Sequence, residues 1–234
     1  MIVFNGIALE SVANVKIEDI RVSPIKYNPV ARPRAIRGGS DFVRMRDGER
    51  TVTITFALQD MNMANRHLSL MAVSKWALTD KEYWLELPTE PNKSLKCVCT
   101  AKPEPSTRQW WEAKLRLVFT CFDNPYWTSR SEKAVACGTA FTVLGDAPPL
   151  MRIEHTVTSA ISNQVYYRDG ETDVLYFSTI PVGNMVIDLN NQTAAVGSSS
   201  IMQYVSPASV FVSPKTGTQT IIGVGTVKYR ERYE

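Results

Sequence analysis

Apolar and polar side chains alternate along much of this chain with a period of two residues, which is the pattern of β-strands that bury one face. The clearest rows are 51–58, 82–87 and 114–121. In 15–22 the apolar positions switch from one parity to the other. This switch predicts a β-bulge near Glu18 and Asp19, because a one-residue slip would otherwise turn side chains to the wrong face. We therefore expect a mainly β protein.

One segment departs from this pattern and predicts a helix from Met61 to about Leu78, which Asp60 can cap. Its apolar residues recur at helical spacing and define one face. They are Met61, Ala64, Leu68, Met71, Ala72 and Trp76. The simplest interpretation is a face that packs against the sheet, and the alternative is a methionine-rich groove for a partner.

A break in the strand pattern at 123–130 predicts a domain boundary, with one domain at 1–128 and a second at 129–234. Beyond the break, short strands are separated by turn signals such as Asp169-Gly170 and Asn190-Asn191. About seven or eight strands over roughly a hundred residues are typical of a β-sandwich.

The 234 residues carry 26 Lys and Arg against 23 Asp and Glu, a net charge of +3. This balance excludes the strongly basic proteins that coat nucleic acid and the acidic disordered class. The charge is uneven, because residues 1–128 have a net charge of +4 and residues 129–234 a net charge of −1. Eight basic residues lie in 21–50 against three acids.

No apolar run reaches the length of a membrane span and no basic-then-apolar leader opens the sequence, so we expect synthesis in a cytoplasm without membrane insertion.

Metal ligands and catalytic motifs are scarce. Cys97 and Cys99 have the spacing of neighbours on one strand face, not of a zinc knuckle, and no second cysteine pair completes a site. Inert buried thiols are the simplest interpretation, with a disulfide or a metal site as alternatives. The sequence has no nucleophile elbow and no phosphate-binding glycine loop. We expect no metal, no other cofactor and no catalytic residue.

The enzymatic alternative is a glycosidase that uses two carboxylates. The candidates are Glu154 with Asp169, Glu171 or Asp173. Nothing in the sequence indicates a cleft around these acids, so we expect the protein not to be an enzyme.

Several short motifs together resemble the distal tail protein (Dit) family of long-tailed bacteriophages and prophages. The most specific is Asp123-Asn-Pro-Tyr126, which closes the strand that begins near Leu117. The others match in order and spacing. They are Phe4-Asn5-Gly6, Gly138-Thr139, Pro148-Pro149, Asp188-Leu-Asn190 and the terminal strand Tyr229-Arg-Glu-Arg-Tyr233. The segment 213–219 departs from the family's usual turn at the edge of the second domain.

The resemblance implies an N-terminal split β-barrel-like domain with one helix, related to tail-tube proteins, and a C-terminal galectin-like β-sandwich. It implies a homo-hexameric ring in the tail tip or baseplate of the virion, assembled in the bacterial host cytoplasm. The implied partners are the tail-tube protein, the tail-associated hub protein, and a receptor-binding protein or fibre. Genomic DNA would pass the ring channel without specific binding.

Given this resemblance, the basic run in 21–50 favours a subunit interface in which arginines pair with acids of the next subunit. The candidate residues are Arg32, Arg34, Arg37, Arg44, Arg46 and Arg50. A lining of the DNA channel and an ordinary solvated face are the alternatives.

The alternative function is a carbohydrate- or receptor-binding module that acts through the C-terminal sandwich. Galectin-like sites use an aromatic platform beside polar residues. The available aromatic residues are Tyr166, Tyr167, Tyr176 and Phe177. Their other interpretation is the core and rim of the sandwich.

Overall fold

The computed structural model describes residues 1–33, 40–60, 62–105 and 114–234. The chain folds into two compact units, residues 1–127 together with Glu234, and residues 128–233. Strands dominate both units, and the described residues contain one long helix, in the first unit. The predicted mainly β fold with one helix is therefore confirmed.

The first unit consists of short and long strands around two helices. In chain order these are β1 (Val3–Phe4), β2 (Ile7–Ala8), α1 (Leu9–Val12), β3 (Val15–Val22), β4 (Tyr27–Pro33), β5 (Ser40–Asp47), β6 (Arg50–Leu58), α2 (Met63–Ala77), β7 (Tyr83–Glu86), β8 (Lys93–Pro105) and β9 (Lys114–Cys121). Seven strands form an antiparallel ladder in the order β3-β6-β9-β8-β7-β1-β2. Within the described residues, β4 and β5 pair with each other as a separate two-stranded hairpin.

The alternation of apolar and polar residues along the central strand β6 matches the burial of its side chains. Val52, Ile54 and Phe56 are wholly buried, and the threonines between them are half-buried. The pairing of β3 with β6 shifts register between Ile17 and Asp19. This shift confirms the predicted bulge and keeps apolar side chains of β3 on the same face before and after it.

The connection between β5 and β6 differs from the sequence prediction. The sequence Asp47-Gly48 indicates a hairpin between 42–46 and 50–58, but β5 pairs with β4 and β6 pairs with β3 and β9. Gly48 instead runs against the chain before β4, where a Cβ atom would lie 2.3 Å from the carbonyl oxygen of Lys26. Glycine is needed at this position for close backbone approach, not for a hairpin turn.

Helix α2 begins two residues later than predicted, at Met63. Asn62 is its N-cap, with a side-chain oxygen that accepts a hydrogen bond from the Ala64 amide at 2.9 Å. Asp60 accepts a hydrogen bond from the Ser69 hydroxyl at 2.6 Å instead of capping the helix. The indole of Trp76 packs edge-on against Phe4 and Phe119, with ring centroids 5.7 and 6.2 Å away.

The second unit contains two sheets. After β10 (Trp127–Ser129), which spans the boundary, its elements are β11 (Lys133–Ala136), β12 (Ala140–Val143), β13 (Ala147–Val157), β14 (Ile161–Arg168), β15 (Val174–Ile180), β16 (Gly183–Asp188), β17 (Thr193–Val196), β18 (Ser199–Ser200), a 3₁₀ turn (Met202–Tyr204), β19 (Gly217–Ile222) and β20 (Thr226–Tyr233). One sheet has the order β18-β17-β16-β13-β20-β11, and the other has the order β12-β19-β14-β15.

Side chains from both sheets of the second unit share one core, which makes this unit a β-sandwich. Tyr166 lies at its centre, wholly buried and edge-on to Phe177 at 6.1 Å. Gly223, with a φ of +153°, lets the backbone pass close to the Tyr166 ring, where a Cβ atom would lie 2.2 Å from the nearest ring carbon. The galectin-like character of the sandwich and the split-barrel character of the first unit stay predictions.

Candidate interaction surfaces

The hairpin β4–β5 brings part of the predicted arginine interface together. Arg32 lies in β4, and Arg44 and Arg46 lie in β5, within pairs that run from Tyr27 with Asp47 to Pro33 with Ser40. Arg34 and Arg37 fall outside the described residues. The hairpin therefore collects three of the six arginines on one element, and their role in a subunit interface stays a proposal.

Arg50 requires a correction. It is the first residue of β6 and is only 5% exposed, so its side chain is not part of the exposed surface. Its Nε and Nη1 atoms have no hydrogen-bond partner among the described residues. Burial lowers the pKa of Arg50, although Cys121, Tyr27 and Glu234 nearby favour its charged form. Arg50 is a buried cation, not an exposed interface residue.

Helix α2 and its C-cap expose four apolar residues, two of which, Leu68 and Met71, belong to the face that the sequence predicts to pack against the sheet. Met63, Leu68, Met71 and Leu78 are 61%, 63%, 58% and 44% exposed. The buried face consists of Val73, Trp76 and Ala77 instead. The predicted packing face is therefore wrong at Ala64, Leu68 and Met71, which are exposed, and holds at Trp76 and the half-buried Ala72. Met61 lies outside the described residues. We call the four exposed residues the α2 stripe.

An open groove of about 640 Å³ continues the apolar surface at the C-terminal end of α2. Its apolar lining includes Phe4, Ile7, Trp76 and Leu78, and Lys75 and Asp80 are among its polar lining residues. Ile7 is 49% exposed. Contiguous apolar surface of this kind marks an interaction site more often than scattered single residues do. The stripe and groove together form a candidate docking surface of the first unit.

The predicted aromatic platform of the second unit also requires a correction. Tyr166 and Phe177 are wholly buried, and burial raises the pKa of Tyr166. The Tyr166 hydroxyl contacts the sulfur of Met185 at 3.9 Å inside the core. Tyr167 and Tyr176 are half-buried on the opposite, outer face of the sheet. The four aromatic residues therefore do not form one surface.

The cysteines lie in apolar surroundings. Cys97, Cys99 and Cys121 are buried free thiols, and Cys137 is half-buried and free. Burial raises the pKa of the Cys97 and Cys99 thiols, and it raises the pKa of Cys137 to about 11. High pKa values suppress thiolate chemistry.

Across the described ranges, no group of three or more His, Cys, Asp or Glu side chains could hold a metal ion. No helix in these ranges is long and apolar enough to cross a membrane.

Two of the four carboxylates of the glycosidase alternative, Glu154 and Glu171, are held in ion pairs. Hydrogen bonds from Lys228 and Arg152, both at 2.6 Å, lower the pKa of Glu154. Hydrogen bonds from Lys215 at 2.5 Å and Arg168 at 2.8 Å lower the pKa of Glu171. A general acid in a glycosidase needs a raised pKa, so these two groups have the opposite electrostatics.

Ion-paired carboxylates give the second unit an acid sensitivity that can be tested. For Glu231, burial opposes ionisation, but hydrogen bonds from Lys133, the Leu144 amide and Tyr233 still lower its pKa. A carboxylate with a depressed folded-state pKa contributes stability above its ordinary pKa of about 4.3, and this contribution is lost as pH falls through the folded value.

We therefore expect the midpoint of thermal unfolding of the second unit to fall as pH is lowered from about 5 to about 3. Circular dichroism can follow the transition. A variant with Glu154→Gln, Glu171→Gln and Glu231→Gln is expected to start from a lower midpoint and to show a weaker pH dependence. Equal pH dependence in both proteins would contradict the assignment of these three carboxylates.

Comparison with known proteins gives a clear result at the level of structure. No protein-family model and no curated protein sequence matches the chain. The crystal structure of the SPP1 Dit (gp 19.1) protein, described as a paradigm of the hub adsorption apparatus in phages that infect Gram-positive hosts, matches with a TM-score of 0.77. The match covers 100% of this chain and 98% of that chain at 13% sequence identity.

The chain has the fold of a Dit protein. The predicted resemblance is thereby confirmed for the fold, and the match covers residues of both units. Two structures of the phage P2 baseplate in its activated conformation, one with Ca and one with Sr, match with a TM-score of 0.50 at 8% identity. Each match covers 96% of this chain and 92% of the other.

Proposed function

We propose that the protein is a non-enzymatic structural adaptor of a bacteriophage tail tip or baseplate. The observation that carries this proposal is the end-to-end agreement of the Dit-like fold with the SPP1 hub protein. A match of one domain would support shared architecture only, because one fold serves many functions. Agreement through two successive domains, with both chains covered almost entirely, supports a shared assembly role as well.

The adaptor forms a hexameric ring in this proposal. A ring requires a head-to-tail contact between two different surfaces of the same chain, repeated until it closes. The first unit has two features suited to such a contact: the α2 stripe and the hairpin β4–β5. An apolar stripe gives association free energy, and the arginines carried by the hairpin would orient the contact by pairing with acids of a neighbour.

The proposed partners are the tail-tube protein on one side and the tail-associated hub protein on the other, with a receptor-binding protein or fibre attached. Genomic DNA would pass through the ring without being bound. The modest net charge of +3 supports this part, because strong phosphate binding would require a far larger basic excess. The proposed location is the virion, after assembly in the host cytoplasm.

The test is the mass of the full chain in solution combined with negative-stain imaging. We expect six-fold rings with a central hole, and a mass close to six times the 26.2 kDa of one chain. The measurement should be repeated with the co-expressed tail-tube and hub proteins, since a ring can depend on its neighbours. A single-chain mass under both conditions would overturn the ring.

A further inference from the structure

The hairpin β4–β5 is attached to the first unit at its root. Within the described residues, β4 and β5 pair only with each other, and their pairs begin with Tyr27 and Asp47. Just before β4, the Ser23 amide donates to the Thr51 carbonyl oxygen at 2.8 Å, and the Thr51 amide donates to the Ser23 hydroxyl at 2.9 Å. A two-stranded hairpin is marginally stable by itself, so contacts at this root decide how firmly the hairpin is held.

One contact at the root comes from a residue 207 positions away in the sequence. The Tyr27 hydroxyl donates a hydrogen bond to the Oε1 atom of Glu234 at 2.9 Å. This bond raises the pKa of Tyr27, because a phenol that donates to a carboxylate retains its proton. Tyr27 is 42% exposed, so the hydrogen bond orients its ring more than burial does.

A buried cation lies near this pair. Arg50 is 5% exposed, and its Nε and Nη1 atoms have no hydrogen-bond partner among the described residues. A buried polar group without a partner is rare and needs an explanation. Burial disfavours the charge of Arg50, and of the groups that chiefly offset this effect, Cys121, Tyr27, Glu234 and Tyr126, Glu234 is the one carboxylate. Glu234 therefore has two attachments, the hydrogen bond from Tyr27 and the attraction of Arg50.

Glu234 also joins the hairpin root to the second unit. The chain passes between the two units twice, between residues 127 and 128 and between residues 233 and 234. Glu234 directly follows β20, which pairs with β11 and β13 inside the second unit. One peptide bond would therefore carry a displacement of β20 to the carboxylate that holds Tyr27.

We propose that Tyr27, Arg50 and Glu234 form a latch that couples the position of the hairpin β4–β5 to strand β20. While the latch is closed, the hairpin is held in one orientation at its root. When β20 moves, Glu234 is withdrawn, Tyr27 and Arg50 lose their carboxylate, and the hairpin can reorient. The hairpin carries three arginines of the proposed subunit contact, so the latch would regulate that contact. This last step rests on the proposed ring, whereas the latch itself does not.

Hydrogen–deuterium exchange of the full chain, measured by mass spectrometry on peptides that cover β4 and β5, tests the latch without ring formation. We expect Tyr27→Phe and Glu234→Ala each to speed exchange of the hairpin amides about three- to tenfold, because each removes a hydrogen bond that opposes local opening. Both substitutions break the same bond, so the double variant should exchange no faster than Glu234→Ala alone. Two independent structural roles would give additive effects instead and would overturn the latch.

Two further variants control this measurement. Tyr176→Phe removes a tyrosine hydrogen bond to Asn163 in the second unit and should leave hairpin exchange unchanged. Glu234→Gln keeps an acceptor for Tyr27 but loses the charge that attracts Arg50, so its effect should lie between those of the unmodified chain and Glu234→Ala. Hairpin exchange that is equal in the unmodified chain, Tyr27→Phe and Glu234→Ala would also overturn the latch.

The coupling to β20 has its own test. Insertion of two glycine residues between Tyr233 and Glu234 keeps both side chains but makes the link to β20 flexible. Hairpin exchange should then rise toward that of Glu234→Ala, whereas exchange equal to that of the unmodified chain would overturn the coupling. Sedimentation velocity of the same variants addresses the ring separately. A single-chain mass for every variant and for the unmodified chain would contradict the ring and leave the exchange results to decide the latch.

Discussion

A chain that carries Leu68→Asp together with Met71→Asp is expected to stay a single-chain species under conditions in which the unmodified protein assembles. Both side chains are largely exposed in the isolated chain, at 63% and 58%, so the substitutions remove little packing within the fold. In a ring that covers the α2 stripe, each carboxylate would be buried without a partner. Removing one partner of a buried ion pair costs about 3 to 5 kcal/mol, and an unpaired buried carboxylate has a comparable cost, so two should reduce association more than a hundredfold.

The matched control adds two carboxylates at exposed apolar positions of the second unit, Leu144→Asp and Val182→Asp, which are 69% and 58% exposed. This variant has the same net charge as the first but leaves the α2 stripe intact, so it should assemble normally. Sedimentation velocity and negative-stain imaging of the two variants side by side give the comparison. Rings that persist with Leu68→Asp and Met71→Asp would show that α2 faces solvent in the assembly and would move the interface to the hairpin.

The strands were predictable from the sequence because each buries one face. Val52, Ile54 and Phe56 occupy every second position of β6, and that period alone determines which side chains enter the core. The same rule predicts that Arg50 is buried, because it lies two residues before Val52 and therefore on the same face of β6. The alternation along β6 thus argues against Arg50 as an exposed interface residue. Tyr166 and Tyr167 likewise cannot face the same side of one strand, since adjacent side chains alternate. In both cases the alternation in the sequence indicates which face of the strand a residue occupies, whereas residue type alone does not.

The orientation of α2 was not predictable in this way. Apolar residues lie on both sides of the helix, because Leu68 and Met71 are exposed while Val73 and Trp76 are buried. Helical periodicity cannot distinguish a core face from a docking face when both are apolar. The local sequence pattern also could not predict that β5 pairs with β4 and not with β6. This pairing depends on the other strands that β6 contacts in the ladder. Long-range pairing of this kind appears only in the folded chain.

The largest expected loss of stability follows from Trp76→Ala. The indole of Trp76 is 7% exposed, packs edge-on against Phe4 and Phe119, and donates a hydrogen bond to the carbonyl oxygen of Ile7 at 3.0 Å. Its removal leaves a cavity between α2 and the ladder and an unpaired carbonyl group. Replacement of a buried aromatic residue by alanine costs about 3 to 5 kcal/mol, against a total of about 5 to 15 kcal/mol for a typical domain. We therefore expect the first unit to lose at least about a fifth of its stability.

Urea unfolding can isolate this effect, because all five tryptophans lie between positions 76 and 127, within the first unit. Tryptophan fluorescence therefore reports the first unit, and far-UV circular dichroism adds the signal of the second. Leu68→Ala is the matched control on the same helix and should change stability by less than about 0.5 kcal/mol, because its side chain is exposed. If Leu68→Ala proved as costly as Trp76→Ala, Leu68 would belong to the core, and the α2 stripe could not serve as a docking surface. A small loss for Leu68→Ala with a large loss for Trp76→Ala would instead leave the stripe free for a neighbouring subunit.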